Sequence, residues 1–247
     1  MKAIALIPAR LGATRFPSKL LAPIKGKSVI LRTYQSAVNT GLFHEVIVVT
    51  DSEEIMKEII MHGGKALKSK GIYESGTDRI AEVAAYMDAD IFVNVQGDEP
   101  FVQKKPLEQL LYLFYGKDGD TTHVASLVQE LKSPELINDP NYVKVALSLH
   151  NNALFFSRSV LPYPRSKEID ITYYEHIGVY AFRKQALLDF TQWPMTKLEA
   201  AEKIECLRFL EHEVPIRMAI TQYMGVEIDT PEDIIRAESL MEKNGWE

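Results

Sequence analysis

The sequence predicts an α/β protein with a doubly wound, mostly parallel sheet and a smaller mixed or antiparallel lobe. Two observations support this fold class. In the first hundred of the 247 residues, short apolar runs rich in β-branched residues alternate with segments of helical spacing. From about residue 124, strand candidates follow one another with few helices between them, which favours antiparallel pairing. We expect a single domain over residues 1–247.

The first half of the chain alternates between strand and helix patterns. The first apolar run is expected to break at Pro8, and a later helix is expected to end at Gly63 and Gly64. Ser75 and Thr77 are the two candidate caps of the third helix. The predicted strands cover residues 3–7, 45–50, 65–68 and 90–95. The predicted helices begin near residue 28, at residue 53 and near residue 77.

The second half has a different pattern, in which strands predominate until the C-terminal helices. The predicted strands cover residues 124–127, 143–149, 153–156, 177–182 and 216–221. Two helices are predicted over residues 184–190 and 198–211, the second with one continuous apolar stripe. Thr230 and Pro231, followed by two acidic residues, predict the start of the last helix.

The loop after the first strand carries three cations, Arg10, Arg15 and Lys19, within ten positions. It lies between a strand and a helix, and ligands bind at this edge in open α/β sheets. The first acidic residues of the chain are Glu45 and Asp51, so no carboxylate pairs the cations locally. These features favour an anion-binding loop over a solvated basic loop.

Two common phosphate-binding motifs are absent from the sequence. Gly26, Lys27 and Ser28 resemble the end of a P-loop, but Leu21 stands where that motif requires glycine. The dinucleotide-binding pattern G-x-G-x-x-G does not occur either. A phosphate bound at the basic loop would therefore be held by arginine and lysine side chains and by turned backbone amides.

The composition of the chain limits the classes of binding partner and the cellular compartments that we expect for it. The formal net charge of −6 argues against a broad nucleic-acid footprint and favours a small anionic ligand. The single cysteine, Cys206, excludes a disulfide framework and a cysteine-based zinc site. The N-terminal apolar run is too short for a signal peptide, and no run approaches the length of a membrane span. We expect a cytoplasmic protein without nucleic-acid or membrane partners.

A carboxylate is predicted at the same sheet edge as the basic loop. Asp98 follows the buried strand that ends near Val95, and Gly97 permits a close backbone approach. A carboxylate that faces a phosphate loop suggests Mg2+, which takes one or two protein carboxylates and completes its shell with phosphate and water. The alternative is a simple ion pair between Asp98 and Arg15. For Asp229, a metal ligand and a structural role at the helix entry remain equally open.

Other polar residues have weaker patterns. His176 lies in a polar, aromatic cluster that could hydrogen-bond a polyol, and a structural role explains it equally well. Arg165 could bind a carboxylate or lie alone on the surface. Glu202, Glu205 and Arg208 are spaced by three, so they are expected to share one helix face, as an ion-pair ladder or as a substrate-facing patch.

Eight blocks of the sequence, in order, resemble the 3-deoxy-manno-octulosonate cytidylyltransferase family over essentially the whole chain. These blocks are IPARLGATRFPSK, SGTDRIAEV, VNVQGDEP, NDPNYVKV, ALFFSRSVLPY, YYEHIGVYAFR, LEAAEKIECLR and IDTPEDI. The resemblance implies a Rossmann-like fold of the nucleotide-diphospho-sugar transferase type. It also implies that the anomeric 2-hydroxyl of 3-deoxy-manno-octulosonate (Kdo) attacks the α-phosphorus of CTP, with Mg2+ as cofactor.

The resemblance also implies roles for particular residues. The implied catalytic residues are Arg10, Arg15, Lys19 and Asp98. The implied nucleotide-binding residues are Pro8, Ala9, Arg10, Lys19, Ser75, Gly76 and Asp98. The implied sugar-binding residues are Arg15, Gln96, Arg165, His176, Tyr180, Glu205 and Arg208. The implied metal ligands are Asp98 and Asp229. A homodimer is implied, with a dimerisation and sugar-binding lobe at roughly residues 150–185.

The sequence departs from the family pattern at three places. Residues 68–74, which include Tyr73, replace a segment that usually contains Met-Thr and His; Ser18-Lys19-Leu20 replaces Gly-Lys-Pro; and Cys206 stands where the family tends to have Gln. These differences leave open an 8-amino analogue of Kdo or another nonulosonic or sialic-type sugar acid as the substrate. A non-catalytic nucleotide-binding relative is the alternative from a different functional class.

Overall fold

The computed structural model describes residues 1–12, 16–71, 73, 75–115, 119–166, 168–222 and 225–246. Arg15 lies outside these residues. The chain forms two compact units, one of residues 1–104 with 224–247 and the other of residues 105–223. The segment at residues 150–185 belongs to the second unit, and its role in dimerisation or sugar binding stays a prediction.

The strands and helices are numbered in chain order. The strands are β1 (Ala3–Ala9), β2 (Pro23–Ile24), β3 (Lys27–Ser28), β4 (Glu45–Thr50), β5 (Ala66–Lys68), β6 (Ile91–Asn94), β7 (Val124–Leu131), β8 (Lys144–Leu147), β9 (Ala153–Ser157), β10 (Tyr173–Arg183) and β11 (Ile216–Thr221). The helices are α1 (Val29–Asn39), α2 (Glu53–Met61), α3 (Gly76–Ala84), α4 (Lys104–Tyr112), α5 (Pro134–Asn138), α6 (Lys184–Gln192), α7 (Lys197–Glu202), α8 (Leu207–Glu211) and α9 (Pro231–Asn244).

The first unit is built on four parallel strands in the order β6-β1-β4-β5. Every residue of β1 is buried, as expected for a central parallel strand that is covered on both faces. From β1 the chain proceeds outward through β4 and β5, then returns to place β6 on the other side of β1. The carboxyl ends of β1 and β6 therefore form the topological switch point, where open α/β sheets bind ligands.

The first strand is longer than the sequence predicts. We expect it to break at Pro8, but β1 continues through Pro8 to Ala9. The Leu6 carbonyl accepts a hydrogen bond from the Val95 amide, so the even-numbered residues of β1 direct their polar groups toward β6. The β1–β6 ladder ends at Asn94, opposite Leu6, so Pro8 lies beyond the segment that pairs with β6. Its missing N–H would face β6, so the lack of this donor breaks no hydrogen bond of the ladder.

The second unit contains the mixed lobe that the sequence predicts. Its strands lie in the order β11-β7-β10-β8-β9; β11 pairs with β7 in parallel, and the other three pairs are antiparallel. Helix α4 is not among the predicted helices, although Leu107, Leu110 and Leu111 are spaced as on one helix face and are buried. The predicted α/β class with a mostly parallel sheet and a mixed lobe is confirmed in the separate units.

One predicted helix is wrong in the structure. Residues 198–211 form two short helices, α7 and α8, because Lys203 adopts a left-handed conformation with φ of 55° and ends α7. The turn between the helices buries the side chains of Ile204 and Cys206. Glu202, Glu205 and Arg208 therefore do not lie on one face of a continuous helix.

The predicted N-terminal caps of α3 and α9 are confirmed. Ser75, rather than Thr77, caps α3 by accepting a hydrogen bond from the Asp78 amide. Thr230 is the N-cap of α9, Pro231 occupies the first turn, and Asp233 completes a capping box. Among the described residues, no helix combines the length and apolar character required to cross a membrane.

Candidate active site

The candidate active site lies in the first unit, at the carboxyl ends of β1 and β6. A Cβ atom on Gly97 would lie 2.9 Å from the Pro8 carbonyl oxygen, so only glycine permits the two segments to approach this closely. Thr33 of α1 donates a hydrogen bond to the Gly97 carbonyl at 2.8 Å and so fixes the backbone at Gly97. Asp98 follows directly and is thereby placed beside the basic loop, as the sequence predicts.

Asp229 reaches the same place from the C-terminal end of the chain. The Ile228 amide donates a hydrogen bond to the Asp98 carbonyl at 3.0 Å, which joins the two segments through their backbones. The Asp233 carboxylate accepts hydrogen bonds from the amides of Asp229 and Thr230 at 3.0 and 2.8 Å. Because Thr230 is the N-cap, the Asp229 side chain is not needed to cap α9 and is directed toward Lys19. This geometry favours the ligand role over the helix-entry role.

Lys19 connects the two aspartates. Its Nζ atom lies 2.6 Å from Asp98 Oδ2 and 2.8 Å from Asp229 Oδ1. The side chains of Lys19, Asp98 and Asp229 are 14, 18 and 32% exposed, so solvent screens these contacts only in part. Burial alone would lower the pKa of Lys19, but the charges and hydrogen bonds of Asp98 and Asp229 outweigh burial and raise this pKa above its ordinary value. The ammonium is therefore charged.

Glu227 is a third acidic residue at this position, and the sequence pattern did not single it out. Carboxylate oxygens of Asp98, Glu227 and Asp229 all lie within 4.8 Å of one another. Glu227 is exposed as a whole residue, but its carboxyl group faces the other acidic side chains. Loss of water around this carboxyl group and the charges of Asp98, Glu99 and Asp229 raise its pKa well above the ordinary value. Its spacing of two positions before Asp229 is the available sequence signal, because such residues share a side of an extended chain.

Three carboxylates around one position form a donor set of hard oxygen atoms, the type that Mg2+ and Ca2+ prefer. The Lys19 ammonium already stands between two of these carboxylates and acts as a stand-in for a cation. The residues therefore fit a divalent cation. Asp98 and Asp229 are the sequence-predicted ligands, and Glu227 is added by the structure.

A cleft of about 270 Å³ opens beside these carboxylates. All seven residues predicted to bind nucleotide line this cleft, namely Pro8, Ala9, Arg10, Lys19, Ser75, Gly76 and Asp98. Gln96, which is predicted to bind the sugar, lines it too. Arg10 is exposed, and no described carboxylate lies within ion-pair distance of its guanidinium. The cleft thus combines an available cation with an acidic cation site, while contact with a nucleotide stays a prediction.

The N-terminus of α3 forms another wall of the cleft. A Cβ atom on Gly76 would lie 3.0 Å from Pro8 Cγ, so this glycine brings the helix start close against the end of β1. Ser75 also donates a hydrogen bond from Oγ to the Asp78 carboxylate at 2.9 Å. The amides in the first turn of a helix and its dipole favour an anion, which suits a phosphate group here.

Tyr73 and Arg79 also line the cleft, and hydrogen bonds to neighbouring side chains hold both residues in place. The Tyr73 hydroxyl donates to Glu82 at 2.5 Å, and Arg79 lies 5.7 Å from the centre of the Tyr73 ring. Partial burial and the bond to Glu82 raise the pKa of Tyr73 to about 12. Arg79 also forms an ion pair with Asp51 at 3.0 Å. Tyr73, one of the departures from the family pattern, is therefore an anchored, neutral wall of the cleft.

The other described residues predicted to bind sugar belong to the second unit. His176 packs edge-on against Phe156 and at 5.2 Å from Tyr180, and its Nε2 lies 3.0 Å from Ser126 Oγ. These surroundings exclude most water from the ring, although the residue as a whole is half-buried, and the loss of water lowers the pKa of His176 to about 3, so the imidazole is neutral. Tyr180 is only 5% exposed, and its hydroxyl interacts with the Cys206 thiol. Burial raises the pKa of this thiol and keeps it protonated.

Arg208 has a complete set of structural contacts. Its guanidinium forms two hydrogen bonds with Glu199, at 2.6 and 2.8 Å, and both side chains are 5% exposed. It also donates to the carbonyls of Phe190 and Trp193 and lies 3.9 Å from the centre of the Phe190 ring. These contacts give Arg208 a structural role, and its contact with a sugar stays a prediction. Arg165, by contrast, is exposed.

Comparisons with known proteins place the chain in a family. Residues 4–220 match the cytidylyltransferase family. The 3-deoxy-manno-octulosonate cytidylyltransferase of Flavobacterium johnsoniae is 54% identical over 98% of this chain and 99% of its own length. The enzyme of the same name from Christiangramia forsetii is 51% identical over 96% of both chains.

Solved structures agree with these sequence relationships. A CMP:2-keto-3-deoxy-manno-octonic acid synthetase complexed with CTP superposes with a TM-score of 0.92 at 36% identity, covering 99% of this chain and 100% of that one. A 4-diphosphocytidyl-2C-methyl-D-erythritol synthase from Anaerococcus prevotii, at 17% identity and a TM-score of 0.64, shares the fold. The chain thus belongs to the cytidylyltransferase family, in its group of 3-deoxy-manno-octulosonate cytidylyltransferases.

Proposed function

We propose that this protein is a cytidylyltransferase that activates Kdo: CTP and 3-deoxy-D-manno-octulosonate react to give CMP-Kdo and diphosphate, for lipopolysaccharide biosynthesis. The observation that carries the proposal is the position of Lys19 between Asp98 and Asp229, in a cleft that Arg10 also lines. This arrangement brings cations and metal-type carboxylates to one sheet edge. The names of the relatives supply the base and the sugar.

The cleft residues bind and orient the triphosphate. Arg10 and Lys19 supply positive charge on one side, and the first turn of α3 at Ser75 and Gly76 supplies backbone donors on the other. A triphosphate and a sugar carboxylate repel each other strongly unless cations separate them. Arg15, which lies outside the described residues, is proposed as a further cation that binds the triphosphate and the sugar acid.

Asp98 and Asp229, with Glu227 beside them, are the proposed ligands of Mg2+. The bound ion would supply a Lewis acid that polarises phosphate oxygens and lowers the pKa of the sugar hydroxyl. The described cleft contains no serine–histidine pair or exposed cysteine that would form a covalent intermediate. The protein residues therefore act by positioning and charge neutralisation.

The transfer is a single displacement at phosphorus. The oxygen of the anomeric 2-hydroxyl forms a bond to the α-phosphorus as the bond to the bridging oxygen breaks, so diphosphate leaves and the hydroxyl proton is released to solvent. Gln96 is the sugar-binding candidate that lines the cleft, where its side chain donates to Asn94 at 3.3 Å. The remaining sugar-binding candidates are Arg165, His176, Tyr180, Glu205 and Arg208.

We also propose a homodimer and a cytoplasmic location. Residues 149–169 of the second unit expose four large apolar side chains, which are Leu149, Leu154, Tyr163 and Ile169 at 100, 62, 81 and 67%. Large apolar side chains that stay exposed are a feature of surfaces that another chain covers, and a second copy is the partner proposed here. Light scattering of the purified protein would show twice the mass of the chain. CTP is a cytosolic nucleotide, which supports the location.

The testing experiment measures diphosphate release with CTP and Mg2+ in the presence of Kdo, 8-amino-Kdo or N-acetylneuraminate. UTP serves as the control for the base. We expect turnover with CTP and Kdo and little with UTP. Preference for the amino sugar would instead make Tyr73 and Cys206 specificity determinants, and no turnover with any sugar acid would refute the enzymatic proposal.

A further inference from the structure

The contact of Lys19 with both predicted metal ligands has a consequence for the order of binding. We propose that Lys19 occupies the divalent-cation site of the nucleotide-free protein and leaves it for the triphosphate, so that metal binding depends on nucleotide. This inference rests on the proposed function, because it takes CTP as the ligand that draws Lys19 away. It extends that function by making Lys19 a positioning residue for the metal as well as for phosphate.

Lys19 and a metal ion compete for the same oxygen atoms. The Nζ atom contacts Asp98 Oδ2 at 2.6 Å and Asp229 Oδ1 at 2.8 Å. Mg2+ binds oxygen at about 2.1 Å, so an ion held by these two oxygens would lie directly against the ammonium. Two cations at such a separation repel, and the low exposure of the three side chains limits screening. One cation must leave before the other binds.

The chain around Lys19 is suited to this exchange. Lys19 begins a short 3-10 turn, residues Lys19–Leu21, that Ser18 enters with φ of 56°. The turn closes through a hydrogen bond from the Ala22 amide to the Lys19 carbonyl at 3.1 Å, which fixes the backbone. The flexible four-carbon side chain can still change rotamer and move its ammonium. Lys19 also lines the cleft that Arg10 lines, and a triphosphate there offers its ammonium new anionic partners.

The exchange couples the two ligands. When phosphate oxygens take the ammonium, Asp98 and Asp229 lose this counter-ion, and the oxygen atoms that contacted Lys19 can bind a divalent ion. By thermodynamic linkage, metal and triphosphate must raise each other's affinity by the same factor. Without nucleotide, the internal ammonium protects the site from adventitious cations.

The first experiment uses Mn2+ alone, with the electron paramagnetic resonance signal of the free ion as the readout. We expect Lys19→Met to bind Mn2+ about ten- to a hundredfold more tightly than the wild type, because displacement of Lys19 breaks two charge-assisted hydrogen bonds. Lys27→Met is the matched control, since Lys27 lies outside the cleft and has no described ion-pair partner. Lys19→Arg, which keeps the charge, should remain a weak Mn2+ binder.

Two further variants keep the test decisive. Lys19→Gln covers the case in which Lys19→Met does not fold, because its amide can still donate to one carboxylate. Asp98→Asn combined with Lys19→Met should lose the gain in affinity, which locates the ion at this site. Equal Mn2+ affinity in the wild type and both neutral variants would overturn the proposal, as would a gain that survives Asp98→Asn.

The second experiment adds CTP without sugar. The affinity of the wild type for Mn2+ in the presence of CTP should then be at least tenfold higher than the affinity of the protein alone or of CTP alone for Mn2+. Lys19→Met should lose this cooperativity. Independent binding of CTP and Mn2+ to the wild type would overturn the coupling. Failure of CTP to bind under any metal condition would count against the proposed function instead, and the Mn2+ titration without nucleotide would still test the role of Lys19.

Discussion

Replacement of Arg208 by methionine should destabilise the second unit strongly. Arg208 and Glu199 form a buried, two-point ion pair at 2.6 and 2.8 Å, and each side chain is only 5% exposed. Arg208→Met leaves the Glu199 carboxylate buried without its partner and removes the donors to the carbonyls of Phe190 and Trp193. Breaking a buried pair in this way costs about 3–5 kcal/mol of unfolding free energy.

The assay is thermal and urea unfolding of four proteins: the wild type, Arg208→Met, Glu199→Gln and the double variant that carries both changes. For a chain of this size the single variant should lose roughly 6 to 20 °C in Tm. The double variant should recover part of the loss, since the glutamine is neutral and its side-chain oxygen can still accept from the Thr196 amide, as Glu199 does at 3.2 Å. The coupling between the two changes then measures the pair.

A loss below about 1 kcal/mol in Arg208→Met would refute this reasoning, since such a value is typical of exposed ion pairs. The same variant tests the sugar-binding prediction for Arg208. If the KM for the sugar acid rises many-fold in the fraction that stays folded, Arg208 has a role in binding beyond its structural one. Unchanged kinetics in the folded fraction would confine Arg208 to the core.

Three further perturbations address the cleft and His176. Asp98→Asn should keep the unfolding midpoint but reduce diphosphate release about a hundredfold or more, because a metal ligand is weakened; near-normal turnover would contradict the metal assignment. Gly97→Ala should lose about 1–3 kcal/mol and much of the activity, since the new methyl group meets the Pro8 carbonyl at 2.9 Å, whereas Gly12→Ala, which meets no atom within 4 Å, should change stability little. His176 has a folded-state pKa of about 3 against about 6.5 unfolded, so below pH 6.5 the unfolded chain binds a proton that the folded chain does not. Its contribution lowers stability by up to about 1.4 kcal/mol per pH unit as the pH falls from 6.5 toward 3; His176→Gln should flatten that slope in pH-dependent urea unfolding, and an unchanged slope would contradict the assignment.

The sequence predicted the parts of the site that follow from strand ends. The carboxyl ends of β1 and β6 meet because parallel strands share one edge, and this places Asp98 beside the basic loop. The partners of Lys19 could not be predicted locally. The loop has no carboxylate close in sequence, and the structure brings Asp229 to Lys19 from 210 positions away. Glu227 was not predicted either, because its spacing of two positions before Asp229 does not show that the folded chain places it near Asp98.

Other differences arise from backbone conformation. Of the apolar stripe predicted over residues 198–211, Ile204 and Leu207 are buried but Leu198 is 41% exposed. An apolar stripe in the sequence does not indicate where a helix ends. Lys203 adopts a left-handed backbone conformation, which is strained for any residue other than glycine. The burial of the Ile204 and Cys206 side chains in the same turn offsets this strain. The pairing of Arg208 with Glu199 follows from this turn, and the predicted ladder with Glu205 could not have anticipated it. Arg15 lies outside the described residues, so its predicted role remains a prediction.

The bond between the Ile228 amide and the Asp98 carbonyl has a consequence for protein synthesis. The first strand and the basic loop emerge early from the ribosome, but the second carboxylate is supplied by the last turn before α9. A nascent chain that lacks this segment has the loop and Asp98, but its Lys19 lacks the second carboxylate partner, Asp229. We expect ribosome-bound or prematurely terminated chains that lack Asp229 to be catalytically silent, so the activity begins only after this segment has been translated.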